Sequence, residues 1–264
     1  MGTHLIIRKE EAGQQVRGLS WKEKRPRSST PMRCSCSYGR GIPRIIMKMI
    51  LEKLNEIRMP KEQDKSSALR FTALSFAAGI LLGVFAKWLD NLALDPDIGW
   101  QRVIERFDLG NFFSDLAIWL LAALLIAMLS SSAFVAARSV FFFFAGMCAA
   151  YHIYTILFAG FNPMSYMLRW YGITLVSPIL AAACWYAGGE GPVSLVLDTG
   201  IVAVFFLFCF GIGFIYFTFK GILYLLVFAW ALALIYKNKK QMLIALPAGL
   251  VLAFLLASVW PFAL

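Results

Sequence analysis

Tyr151, His152 and Tyr154 stand within one helical turn, and Arg169 and Trp170 follow just after the short stretch "GFNPMSY". With Lys87 and Asp115 they are the residues of this chain whose types could do chemistry. Lys87 and Arg169 would attract an anionic group, and the tyrosines and Trp170 offer hydroxyls and stacking faces. His152 and Asp115 are the types that serve as general acid and base. Each also has a plainer role. Aromatic side chains belong to the belts at a membrane surface, and a Lys or Arg near a span end can lay its stem along lipid and reach water. Asp115 and His152 are the least accounted for by that role, because Asp is short and His152 lies deeper.

Other chemistries lack their residues. With only two histidines, His4 and His152, no HExxH site can be assembled, and Cys148 with His152 is one ligand pair short of a metal site. Cys34-x-Cys36 lacks the spacing of a zinc knuckle. There is no GxSxG, phosphate-binding loop or GxGxxG. The sequence therefore calls for no cofactor and no metal, and it carries no enzyme signature.

The elements that position these residues are membrane spans. The chain is 60% hydrophobic and 15% charged, against about 45–50% and about 25% in soluble domains. A bilayer core takes about 20 apolar residues per helix. Seven segments meet or approach that length, at roughly 69–88, 112–130, 138–158, 166–187, 194–216, 220–236 and 241–260. The expected fold is an all-α polytopic transmembrane helix bundle of about seven spans; six is the alternative, because the sixth segment is short. Between the first and second spans, Trp100, Val103, Ile104 and Phe107 share one helical face, opened by Asp-Pro-Asp and closed by Gly110, which reads as a short helix lying at the interface.

Of the formal charge of +10, +9 sits in the amino-terminal arm, where sixteen Lys/Arg and seven Asp/Glu precede or include Arg70. A basic arm on an apolar body is the positive-inside signal and not a nucleic-acid footprint. Together with "KNKK" at 237–240, it places the amino terminus and the 237–240 loop in the cytoplasm of a bacterial inner membrane, and the polar and aromatic cluster at the outer face. Residues 1–43 read as a disordered basic leader, 44–68 as a cytoplasmic amphipathic helix and linker, and 69–264 as the transmembrane domain. We expect translation to start at Met47, which would leave a net charge of +3; abundant native peptides from before Met47 would overturn this. No cleavable secretion signal is expected, since the first long apolar run begins near Phe71.

Gly79 and Gly83 form a GxxxG in the first span, which serves packing within one chain; a homo-oligomer or a membrane partner subunit is the other use of such a face. The stretches "AGMCAAYHIYTILFAGFNPMSYMLRWYG", "SPILAAACWYAGGEG" and "FKGILYLL" make the chain from about Met47 onward resemble an uncharacterised family of multi-pass bacterial membrane proteins. The resemblance implies membrane placement and a bacterial source, and it brings no catalytic residues. The leading expectation for function is binding or transport of a small solute through an outward-facing mouth formed by Lys87, Asp115, Tyr151, His152, Tyr154, Arg169 and Trp170. The alternatives are a membrane scaffold or accessory subunit, and an intramembrane lipid-acting enzyme with His152 and Asp115 as acid and base.

Overall fold

The structure is a computed structural model that describes residues 52–93, 95, 97–212 and 217–259. The basic leader, the Met47 start, Cys34 and Cys36, the first half of the amphipathic helix and the carboxy-terminal residues 260–264 lie outside the described residues. Residues 52–57 are helical, with Leu54 and Ile57 half-buried and Glu52, Lys53 and Glu56 exposed.

Helix α1 spans Lys65–Asp90, α2 Gly99–Arg106, α3 Leu109–Ser114, α4 Leu116–Leu129 and α5 Ala133–Tyr154, continued by a wide turn at Thr155–Ala159. Helix α6 spans Met164–Ala187 and α7 Pro192–Cys209. Strands β1 (Phe210–Ile212) and β2 (Phe217–Phe219) follow, then α8 (Ile222–Ile235) and α9 (Lys239–Val259). The described chain is all-α apart from this hairpin. Five helices, α1, α5 with its wide turn, α6, α7 and α9, are long and apolar enough to cross a membrane. The other two apolar helices, α4 and α8, have 14 residues each, a rise of about 21 Å against a hydrocarbon core of about 30 Å.

The bundle has two polar ends. At one, which we call the loop end, Arg58 reaches the last turns of α4 and α6, and Lys237 after α8 reaches Ala187 at the end of α6. At the other, the mouth end, Lys87 meets Tyr151 and Asp115 meets Lys220. The short helices α4 and α8 thus run between the same two polar ends as the long ones.

Close backbone approach organises the core. Helices α1 and α5 run parallel, with Thr72 beside Ser139, Gly83 beside Met147 and Lys87 beside Tyr151. The GxxxG glycines are consumed here: a Cβ on Gly83 would stand 2.8 Å from the Met147 carbonyl oxygen, and one on Gly146 would stand 2.7 Å from that of Phe76. The small residues let the two helices touch along their backbones, the packing that lipid solvent rewards. Helices α7 and α9 are a second parallel pair, with Gly249 of α9 against Val202. Helix α4 packs against α5, α6, α7 and α8, which suits its uniformly apolar surface.

Three expectations about elements need correction. The second span is not continuous from 112 to 130: Asp115 is extended, ends α3, and starts α4 by accepting from the Leu116 backbone N–H at 2.7 Å. Its short carboxylate competes with the helix for that N–H, as N-caps do. The fifth span does not reach 216, because Phe210–Ile212 leaves the helix and pairs antiparallel with Phe217–Phe219. That segment, "FGIGFIYFTF", is rich in β-formers and interrupted by glycine, so its apolarity hid its strand preference. The short helix expected at the interface ends at Arg106 before Asp108, whose φ of 49° is left-handed, and not at Gly110. Trp100 and Val103 on it and Phe107 just after it are exposed, Ile104 is half-buried, and Trp100 stacks on Trp88 at 6.5 Å.

Candidate functional site

At the mouth end, the last turn of α1 carries Lys87, which is only 6% exposed. Its ammonium donates to Asp90 Oδ2 at 2.6 Å and to the Tyr151 hydroxyl at 3.4 Å, and it lies 4.9 Å from the Tyr151 ring centre. The parallel register of α1 and α5 makes this meeting possible. From Tyr151 an aromatic series continues through Tyr166 and Trp170 to Trp119, with centroids 5.8, 6.5 and 6.3 Å apart. Trp170 is buried, and Arg169 is exposed with its guanidinium 5.6 Å from the Tyr166 ring centre.

His152 faces a different set of partners. Its Nε2 stands 3.0 Å from Asn162 Oδ1, an acceptor, and its Nδ1 meets the Tyr171 hydroxyl. That arrangement fits the tautomer in which Nε2 carries the proton and Tyr171 donates to Nδ1. Tyr154, half-buried, packs on Phe158 at 4.5 Å. Cys148 pairs with Thr174 at 3.4 Å, not with His152. Among the described residues no group of three His, Cys, Asp or Glu side chains is placed to hold a metal ion.

Asp115 is not the partner of Lys87 or Arg169. Its Oδ2 accepts from Lys220 at 3.0 Å, while Lys87 already has Asp90 three residues away on its own helix. The structure therefore brings Lys87, Tyr151, Trp170 and Arg169 to one aromatic wall and leaves His152, Tyr154 and Asp115 on separate partners. None of the four described cavities is lined by any of these seven residues. The two between helices are apolar: one of about 320 Å³ among α4, α5, α6 and α7, and one of about 480 Å³ among α1, α3, α4 and α8.

The loop end holds the densest polar construction. Asp198, 2% exposed, sits two turns into α7. Its Oδ2 accepts from Lys237 at 3.0 Å and from Gln241 Nε2 at 2.6 Å. Lys237 also donates to the Ala187 carbonyl and to Ser194 Oγ. Asp198 Oδ1 has no partner among the described residues. The network ties the end of α6, the start of α7, the α8–α9 connection and the start of α9.

Beside it Arg58 donates to the Trp185 carbonyl at 2.7 Å and to the Met128 carbonyl at 3.2 Å, and its guanidinium lies over the Trp185 ring at 4.6 Å. One side chain thus joins carbonyls at the ends of two helices, adding to the Gly188 N–H that the Trp185 carbonyl accepts at 3.1 Å, and positive charge there also suits the dipole. Desolvation by burial lowers its pKa from the ordinary arginine value. The carbonyl of Ile57 accepts from the Glu190 N–H at 3.0 Å, and the Lys61 N–H reaches the Ser131 carbonyl at 2.9 Å. Gly188 and Gly189 make room for this segment: a Cβ on Gly189 would lie 2.8 Å from the Ile57 carbonyl carbon. Arg138, near the start of α5, likewise donates to Thr72 Oγ1 and to the Ala68 carbonyl, each at 2.9 Å. Sequence reasoning passed over Arg58, Arg138 and Gln241 and read Lys237 only as a topology signal; the paired glycines before Glu190 were the one local sign that something packs there.

In comparisons with family models, curated proteins and solved structures, nothing matches this chain.

Proposed function

We propose that this membrane-embedded helical protein works as a scaffold or accessory subunit, with its polar groups holding helices in place. The observation that carries this reading is that the charges set among the helices at Lys87, Arg138 and Asp198 are satisfied by the chain itself. Lys87 has Asp90 and Tyr151, Arg138 has Thr72 and the Ala68 carbonyl, and Asp198 has Lys237 and Gln241. The clefts between helices are apolar, so they suit lipid or another helix better than a polar solute. On this reading the partners are the lipid bilayer and a second copy or another membrane subunit. The lipid-acting enzyme is disfavoured by His152 and Asp115 having Tyr171, Asn162 and Lys220 as their partners.

A second reading keeps the small solute. It is favoured by Arg169, which is exposed at the mouth end and forms no ion pair among the described residues. Melting of the detergent-purified chain across a panel of small anions separates the two. The scaffold reading expects no saturable shift. A saturable shift lost in Arg169→Gln but kept in Lys239→Gln/Lys240→Gln would replace it with the solute reading.

We assign the loop end to the cytoplasm of a bacterial inner membrane, because Arg58, Lys61, Lys65, Arg70, Arg138 and the 237–240 lysines gather there. Reporter fusions after Gly189 and Lys240 are then cytoplasmic and one after Asn162 is external; reversal of any one rejects the assignment.

A further inference from the structure

A cavity of about 490 Å³ opens at the loop end between the amino-terminal ends of α7 and α9. Lys239, Lys240, Asn238 and Gln241 supply its polar wall, and Leu195 and Ile244 supply an apolar one. Three features give it a positive potential. First, neither Lys239 nor Lys240 has an ion-pair partner among the described residues, whereas the neighbouring Lys237 is neutralised by Asp198. Second, α7 and α9, of 18 and 21 residues, both begin here, so the positive ends of two helix dipoles face the same space. Third, α7 starts at Gly191-Pro192 with no side-chain cap to offset its positive end; Pro192 itself carries no N–H, and the Leu195 N–H bonds the Gly191 carbonyl, so the start of α7 acts through its dipole. The carboxylates nearest in the chain are Glu190, exposed and without an ion pair, and Asp198, already held by Lys237 and Gln241.

The apolar side decides what kind of anion fits. Ile244 is 55% exposed, and Leu243 and Val196, one residue beyond the pocket on α9 and α7, are 78% and 69% exposed. An anion in the pocket would therefore sit directly above lipid-facing aliphatic surface. A free inorganic anion gains nothing from that surface, whereas a phospholipid lays its acyl chains along it while its phosphate meets the lysines. From this geometry we infer that the pocket between the starts of α7 and α9 binds the phosphate headgroup of an anionic phospholipid. Gln241 lines the pocket and also bonds Asp198 and Ser194, so an occupied pocket is joined directly to the network that fastens α6, α7 and α9. The inference does not depend on the scaffold reading, since it concerns the opposite end from Arg169.

The test uses the full chain purified in a neutral detergent, titrated with phosphatidylglycerol, phosphatidylcholine or inorganic phosphate, with bound lipid counted by native mass spectrometry and the melting temperature followed in parallel. Phosphatidylglycerol binds saturably and raises the melting temperature, and neither phosphatidylcholine nor inorganic phosphate does so comparably. Each juxtamembrane lysine is worth about fivefold in anionic-lipid affinity, so Lys239→Gln/Lys240→Gln weakens binding roughly 25-fold. The control Lys61→Gln/Lys65→Gln removes two lysines at the same end but outside the pocket, and changes affinity by less than about twofold. Equal losses in both double variants would mean diffuse attraction to a basic surface and overturn the site. A response to inorganic phosphate as strong as to the lipid would overturn the lipid assignment, and no preference for phosphatidylglycerol over phosphatidylcholine would overturn both.

Discussion

Asp115 at the start of α4 and Lys220 at the exit of the β-hairpin lie 3.0 Å apart, with side chains 18% and 28% exposed. The pair joins the mouth ends of two short helices. Removing either partner leaves a partly buried charge, whereas removing both leaves none. Asp115→Ala and Lys220→Ala should therefore be less than additive in melting experiments, with a coupling on the order of 1 kcal/mol. Asp115→Ala combined with Lys87→Ala should be additive. Additivity in the first cycle, or coupling in the second, would contradict the pairing.

That pairing shows where sequence reasoning stops. The spans could be read because a bilayer demands long apolar runs, and α1, α5, α6 and α9 fall close to the segments expected. The meeting of Gly79 and Gly83 with another helix followed from the same solvent logic. Asp115 could be singled out as costly, but Lys220 is 105 residues away and no local pattern links them. Arg58 escaped for another reason. Its bonding partners are the backbone carbonyls of Trp185 and Met128, and any residue supplies a carbonyl. The hairpin after Cys209 was lost because hydropathy scores Phe, Ile and Tyr alike in a strand and in a span.

The contact of α1 with α5 makes a prediction about single methyl groups. A Cβ on Gly83 would approach the Met147 carbonyl oxygen to 2.8 Å, and one on Gly79 would come within 2.9 Å of the Phe143 carbonyl carbon. Neither neighbour is a flexible side-chain end, so the helices must separate. Gly83→Ala should cost about 1–3 kcal/mol. Gly172→Ala, where nothing lies within 4 Å, should change stability little and serves as the control. Equal melting temperatures for the two variants would mean that α1 and α5 are not packed so closely.

Arg58 should fasten the segment before α1. Arg58→Ala removes the side-chain donor of the Met128 carbonyl and leaves the Trp185 carbonyl with the Gly188 N–H alone, at a cost of about 1–3 kcal/mol. It should also speed trypsin cleavage after Lys61 in the folded protein. Arg58→Lys should not restore protection, because one ammonium cannot reproduce a planar fork bridging two helix ends. Gly189→Ala should expose the same bond by displacing Ile57. Protection unchanged in all three variants would show that the segment is held by something else.

The Lys237–Asp198 pair separates a structural network from a merely superficial one. The Asp198 side chain is 3% exposed and that of Lys237 is 19% exposed. Lys237→Met would leave the carboxylate buried with Gln241 as its remaining donor, and breaking a buried pair from one side costs about 3–5 kcal/mol. Replacing both groups, as Asp198→Leu/Lys237→Met, removes the need to desolvate any charge and should recover most of that loss. Gln241→Ala added to Lys237→Met should deepen the defect, since it takes away the last donor to Asp198. These orderings are read as melting temperatures of the detergent-solubilised chain. If the double apolar variant is as unstable as Lys237→Met alone, the network contributes more than mutual neutralisation, and the loop end would then have to be treated as a working site.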